Sequence, residues 1–348
     1  MQAVGTAAKL RFGCFAPEGR ASDEMTRFWS ILRVSFIETV RQPIYGVLLI
    51  CTMLMMLLNV SLAAFTLSDD DKLLLELGLS TLLLSGLFLS AFSATAALSR
   101  EIENKTVLTV ISKPVSRPLF YLGKFFGLIG ALALAHYLNT LVFLLAQRHG
   151  VLQNTSDPWD MPAIVFGSGS VFLTLLAAVF LNYFHGRDFP LTALSILTPL
   201  LTVATVLTAF FDKRWNVTPF AQEFPGGQVV IATLLVLLFN MILAGVATAA
   251  STRFGQLMTL TTCVLFTCLA AVADYAFGQY VGVSNAAAAA YHIVPNLGPF
   301  WIIDGLFADR QEMTVNASYL GYAAGYSLLM TAAFVNVGIA LFNRREVG

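Results

Sequence analysis

Eight apolar stretches, each long enough to cross a lipid bilayer as a helix, constrain this chain more than anything else in it. They cover 44–66, 73–98, 125–146, 163–184, 191–211, 229–250, 257–277 and 319–342. A hydrocarbon core about 30 Å thick takes ~20 helical residues to cross. Lipid offers no partner to an exposed N–H or C=O, so only helices or closed barrels span it. The chain is therefore expected to be all-α, a polytopic helical membrane protein of about eight transmembrane helices. Composition points the same way: 57% of the 348 residues are hydrophobic and 11% charged, against about 25% charged in soluble domains. Twenty Lys+Arg balance twenty Asp+Glu, which leaves no basic field for nucleic acid.

Basic residues set the expected orientation. With the N-terminus inside, Lys72, Arg148, Lys213, Arg214 and Arg310 fall outside, and the other fifteen of the twenty Lys and Arg fall inside. That bias obeys the positive-inside rule, so both termini are expected in the cytoplasm. The organisation that follows is a cytoplasmic segment 1–43, a single transmembrane domain 44–342 and a cytoplasmic tail 343–348. About forty mixed polar residues precede the first apolar run, which is long for a cleaved leader.

Three segments outside the spans carry information. In 25–41, Phe28, Leu32, Phe36 and Val40 recur near helical spacing beside Trp29, with Arg27, Arg33, Glu38 and Arg41 around the rest of the helix. This predicts an amphipathic helix in the cytoplasmic interface, touching membrane lipid and ending near Pro43. The loop 100–117 is far longer than a hairpin needs. In it Glu101 and Lys105 stand at i, i+4, Val107, Leu108, Val110 and Ile111 form a short apolar edge, and Pro114 ends the helix. A short cytoplasmic helix of this kind suits a groove on a partner protein, or it rests on the membrane. The outer segment 279–318 is long for a structureless loop and reads as an interfacial cap with Trp301 as a belt residue.

Chemistry is sparse. The phosphate-cradling G-x4-G-K-[ST] is absent; Gly123-Lys124 is followed by Phe125, and Lys124 is expected to snorkel to the inner interface. Pro225-Gly-Gly-Gln228 reads as a turn. The histidines are scattered without metal-ligand spacing, Cys14, Cys51, Cys263 and Cys268 suggest neither disulfides nor zinc, and there is no acyl-transfer elbow. No catalytic residue, metal or cofactor is therefore assigned to this chain. Met53, Met55 and Met56 read as packing. Asn59, His136, Asn139, Asn182, Asn240, Asp274 and Asn336 lie inside spans, where hydrogen bonding between helices is the expected role.

The loop also carries a family pattern. Glu101, Glu103, Thr106, Lys113, Pro114, Ser116, Arg117, Gly123 and Lys124 follow the order E-x-E-x-x-T, Lys-Pro, Ser-Arg, Gly-Lys. This resembles the permease subunits of type-2 ABC exporters, closest to those of gliding motility and nitrous-oxide-reductase maturation. Phe36 to Pro43 resembles the family's entry helix, Ala249 to Gly255 its inner turn between late spans, and Leu341 to Glu346 its C-terminal stop. The resemblance implies a six-helix core, to which 163–184 and 191–211 add an extra pair. It further implies a bacterial inner (plasma) membrane and a dimer with a second permease copy or paralogue. Two copies of a separate ABC ATPase subunit would bind ATP and Mg and hydrolyse the ATP. Glu101, Glu103, Lys105, Thr106, Leu108, Ile111, Lys113, Pro114 and Arg117 would contact that ATPase, with Phe28, Trp29, Glu38 and Arg41 on the interfacial helix. The substrate is not implied. The alternative is a stand-alone secondary transporter or channel, in which loop 100–117 is a passive linker.

The charge count makes a direct prediction. In intact cells a membrane-impermeant thiol reagent should label Arg310→Cys and leave Lys105→Cys unlabelled; the reverse pattern would invert the topology.

Overall fold

The computed structural model describes residues 18–65, 70–99, 116–152, 157–222, 224–283, 285, 288, 291, 294–303 and 315–344. Helix α1 spans Glu18–Arg41 and α2 Pro43–Ala63. Helix α3, Asp70–Ala94, ends in a π-helical turn, Thr95–Ser99. Then come α4 (Arg117–His149), α5 (Met161–His185), α6 (Phe189–Thr208), α7 (Gly227–Ser251), α8 (Gln256–Ala276) and α9 (Ala317–Asn343). Eight helices, α2 to α9, are long and apolar enough to cross a membrane, and the described residues contain no strand. The chain is a multi-pass helical membrane protein.

Local chemistry sets the helix boundaries. Gln42 is extended before Pro43, which opens α2 at its first position; proline disfavours helix in the residue before it and suits the first turn after it. Helices α5 and α6 are joined by a tight link. Gly186 takes a left-handed conformation (φ 61°) and closes α5 by donating to Asn182 O, while Asp188 accepts from Leu191 N to open α6. A left-handed residue after a helix is usually glycine because a Cβ is strained there. Helices α5 and α6 thus form a hairpin. Pro225-Gly-Gly-Gln228, expected as a turn, is instead the start of α7: Gly226 caps it and Gly227 and Gln228 are already helical. The reason is the absence of a chain reversal after Gly226, so the helical hydrogen bonds simply begin there.

Helices α3, α4 and α7 form the buried centre. Helix α2 packs on α3 and α4, α9 packs chiefly on α7, and α8 packs on α7 and α3. The α5–α6 hairpin leans on α4 from one side, and α1 lies on the first half of α4. Lipid gives helices no hydrophobic reason to associate, so close packing and interhelical hydrogen bonds must hold them. Large side chains accordingly sit over glycines: Phe143 of α4 over Gly78 of α3, Asn240 of α7 over Gly86 of α3, and Tyr121 of α4 over Gly338 of α9. Each glycine leaves no room for a Cβ. Tyr45 Oη donates to Ala131 O at 2.9 Å and Ser327 Oγ to Leu238 O at 2.7 Å, tying α2 to α4 and α9 to α7.

Helix α4 has 33 residues, about 50 Å at a rise of ~1.5 Å per residue, so it outreaches the hydrocarbon core. Its last turn carries Arg148, whose Nε meets Asp160 Oδ2 at 2.9 Å with both side chains almost wholly buried. Asp160 also caps α5, accepting from Ala163 N at 3.0 Å. The other two guanidinium nitrogens donate to Thr208 O and Phe211 O at the end of α6. One arginine thereby fastens the start of α5 and the end of α6 to α4.

Removing one member of a buried pair typically costs ~3–5 kcal/mol, because the other is left charged without a counter-charge. Arg148→Met should therefore lower the unfolding midpoint of the purified protein markedly, and Arg148→Met with Asp160→Asn should recover part of the loss. Equal midpoints for the single variant and the parent would remove the clamp from this account.

Candidate functional site

The site expected from sequence is the cytoplasmic loop and its surroundings. Glu101, Glu103, Lys105, Thr106, Leu108, Ile111, Lys113 and Pro114 lie outside the described residues. Arg117, the last of that set, opens α4 and donates from Nη1 to Asn343 O at 3.1 Å. Arg253, just after α7, donates from Nη2 to Leu341 O at 3.2 Å. Two arginines thus take up terminal carbonyls of α9, where a helix carries partial negative charge and orphan acceptors. The ends of α4, α7 and α9 are gathered at the face that the charge count places inside.

Helix α1 is seated beside this collar. Ile31, Leu32, Ser35 and Phe36 face Gly123, Gly127 and Gly130 of α4. A Cβ at Gly127 would stand 2.6 Å from Ser35 Cβ and 2.8 Å from Leu32 O, and one at Gly123 would stand 2.6 Å from Ile31 Cγ2. The i, i+4, i+7 spacing puts these glycines on one face of α4 and lets the two backbones come close. Ser35 Oγ donates to Lys124 O at 3.2 Å. The expected interfacial residues divide between two roles. Phe28 packs edge-on against Phe126 at 6.0 Å between ring centroids, while Trp29 is exposed, where an indole suits the membrane–water boundary. Arg41 pairs with Asp188 at 3.0 Å, linking α1 to the α5–α6 turn.

Lys124 departs from expectation. Its side chain is 4% exposed and its Nζ donates to Glu38 at 2.8 Å, with the Phe120 ring 5.8 Å away. Snorkelling needs an open route to water; α1 lies across that route, and the ammonium is held by a carboxylate from α1 instead. Glu38 remains half exposed, so the pair sits at the edge of the protein with one foot in solvent.

The polar residues within the spans are mostly structural. His136 Nε2 lies 2.9 Å from Thr233 O of α7, and Asn139 Nδ2 donates to Ser85 Oγ of α3 at 3.4 Å. Ser85 in turn accepts from Thr52 of α2 at 3.1 Å, Asn240 Nδ2 donates to Leu82 O at 3.2 Å and Asn59 Nδ2 to Thr81 Oγ1 at 3.0 Å. These are bonds between helices, as expected. Asn182 and Asn336 are not: they donate to Arg187 O beyond their own helix end and to Ala332 O one turn back. Both are exposed, so no neighbouring helix is near enough to accept.

At the opposite face Asp274 anchors the outer segment. It accepts from Tyr291 Oη at 2.9 Å and from Asn296 Nδ2 at 2.6 Å, and Asn296 Oδ1 accepts from Gly298 N at 2.7 Å. Leu297 N donates to Ala270 O at 3.0 Å, six residues before the end of α8, so this stretch dips beside the helix rather than only covering it. Phe300 is buried against Phe239 and Tyr326. Trp301, expected as a belt residue, is half-buried against the core. The hydrogen bond that Tyr291 donates to Asp274 holds the phenol above its ordinary pKa.

Among the described residues no group of three His, Cys, Asp or Glu is placed to hold a metal. Comparison with protein-family models, curated proteins and solved structures finds no match to this chain. Sequence reasoning missed the Glu38–Lys124 pair, because 86 residues separate its members. It also missed the docking stripe, although the spacing of Gly123, Gly127 and Gly130 was legible as a small-residue face.

The Glu38–Lys124 contact lends itself to a mutant cycle. Glu38→Gln should lower the unfolding midpoint, equivalent to about 1–3 kcal/mol for a pair between the exposed and buried extremes. Adding Lys124→Met should restore part of the loss by removing the buried ammonium, and a double variant less stable than Glu38→Gln alone would contradict the pairing.

Proposed function

We propose that this chain is the transmembrane permease subunit of an ATP-binding-cassette exporter in a bacterial plasma membrane. The observation that carries the reading is the ordered run from Glu101 to Lys124. Its acidic pair, Lys-Pro step and closing Gly-Lys suit a helix that docks on a cytoplasmic ATPase. The setting of that run supports the reading. It joins the inner end of α3 to the base of α4, the helix on which α1 is seated and to which the α5–α6 hairpin is clamped. A push on the loop would reach α4 directly, and α1 and the hairpin would move with it. Nucleotide energy enters through the partner: the ATPase binds ATP and Mg, its closure shifts the loop, and the spans tilt between two packings. The active assembly is two permeases with two ATPase subunits.

The mechanism asks little chemistry of this chain. The His136–Thr233 and Asn139–Ser85 contacts are spent on holding helices together, which fits a conduit that changes shape rather than an enzyme that makes bonds.

The test is assembly. With the cognate ATPase co-expressed, Leu108→Asp should abolish most co-purification in detergent, since it sets an unpaired carboxylate into an apolar groove. Glu101→Lys with Glu103→Lys should weaken it less, through charge mismatch at the rim. Membrane insertion should be unchanged in both. Full assembly and full transport by both variants would make the loop a passive linker and favour a stand-alone transporter.

A further inference from the structure

A half-open cavity of about 420 Å³ lies between α2, α4, α5 and α6, in the half of the bundle that holds Arg148. Its walls are Met53 and Leu57 of α2, Val142 and Leu145 of α4, Gly167 of α5 and Leu201 of α6. That volume falls within the range of small-molecule sites, roughly 300–1,000 Å³.

The cleft is held open at both ends. Arg148 fixes the start of α5 and the end of α6 to the last turn of α4. At the other end Arg41 holds the turn between α5 and α6 through Asp188. Together these ties oppose an inward swing of the hairpin, the buried Arg148 clamp more than the exposed Arg41 pair. An apolar cavity does not hold water, and lining atoms without neighbours forfeit dispersion contacts, so an apolar filler is favoured.

The lining narrows the class of filler. Two hydroxyls, Ser61 and Ser168, are the polar side chains on the inner walls, and Ser168 Oγ already donates to Ile164 O. A peptide or a sugar would bring polar groups that such walls leave unsatisfied; a hydrocarbon chain brings none. The mouth is different. His149 and Trp159 line the cavity where α4 ends and α5 is about to begin, their rings edge to face at 6.0 Å. Lys213 donates to His149 O beside them. Indole, imidazole and a nearby cation at the end of the spans suit the level of lipid headgroups. From His149 down to Val142 is about 10 Å along α4, enough depth for part of a chain.

We propose that this cavity binds one acyl chain of a lipid or fatty acid, with the polar end at His149 and Trp159. The proposal goes beyond the permease reading and stands without it.

Trp159 supplies the readout. In the full-length protein with Trp29, Trp215 and Trp301 replaced by Phe, a stearate dibrominated close to its carboxyl end should in detergent quench Trp159 saturably, at one per chain. Excess unlabelled stearate should reverse the quenching. Gly167→Leu with Ser168→Leu should fill the cleft and weaken the binding about tenfold with the unfolding midpoint retained. Quenching that rises without saturation and resists competition would mean only boundary lipid, and would overturn the proposal. So would saturable binding of equal strength in a filled, folded variant. If the filled variant fails to fold, competition in the parent decides. Absence of quenching in the parent, with Trp159 instead shielded when a second copy of the chain associates, would assign the cleft to a protein contact and overturn the proposal.

Discussion

A buried cation near each end of α4, each with its own counter-charge, is the constraint on which the rest of the assembly hangs. Lys124 and Arg148 stand on one long helix that outreaches the bilayer. Neither can be left unpaired in a medium without water. Lys124 is met by Glu38, which brings α1; Arg148 is met by Asp160, which brings α5, and its remaining donors bring the end of α6. Helix α1 and the α5–α6 hairpin are thus held to α4 by charge, while α3, α4, α7 and α9 are held by close packing.

These two modes of attachment differ in rigidity. Between α3, α4, α7 and α9 the fit is steric: Phe143, Asn240 and Tyr121 occupy notches that Gly78, Gly86 and Gly338 leave open. Sliding one helix would drive a side chain into backbone, and packed cores shift between discrete arrangements rather than deforming smoothly. The α5–α6 hairpin is pinned at its two ends with an apolar gap between it and α2. Under the permease reading, a domain driven by a cytoplasmic partner would need both properties, a stiff centre and a periphery carried with it.

The ends of α4, α7 and α9 are tied together in a collar. Arg117 and Arg253 bind the terminal carbonyls of α9, so the base of α4 is coupled to α9 by charge-assisted hydrogen bonds as well as by Tyr121 packed over Gly338. Under the permease reading, displacement of the loop before α4 is shared with α7 and α9. The same reading accounts for α1, whose seat on Gly123 and Gly127 lets it ride on α4 while Trp29 remains at the lipid boundary.

The sequence by itself determined the number and approximate limits of the spans, because apolar length is a local property and lipid permits only a helix there. It also determined where α1 ends, since Pro43 acts on its immediate neighbour. Tertiary structure alone decided the partners. Glu38 and Lys124, Arg148 and Thr208, Asn240 and Leu82 are far apart along the chain, and no periodicity encodes which helix an isolated polar group will meet. Hence Lys124 read as a snorkelling residue and is buried against a half-exposed Glu38, and Asn336 read as an interhelical contact and bonds within its own helix. The cavity beside α5 was equally invisible, because an absence of contact is a property of the spacing between helices, and that spacing is set by clamps whose members meet only in the folded chain.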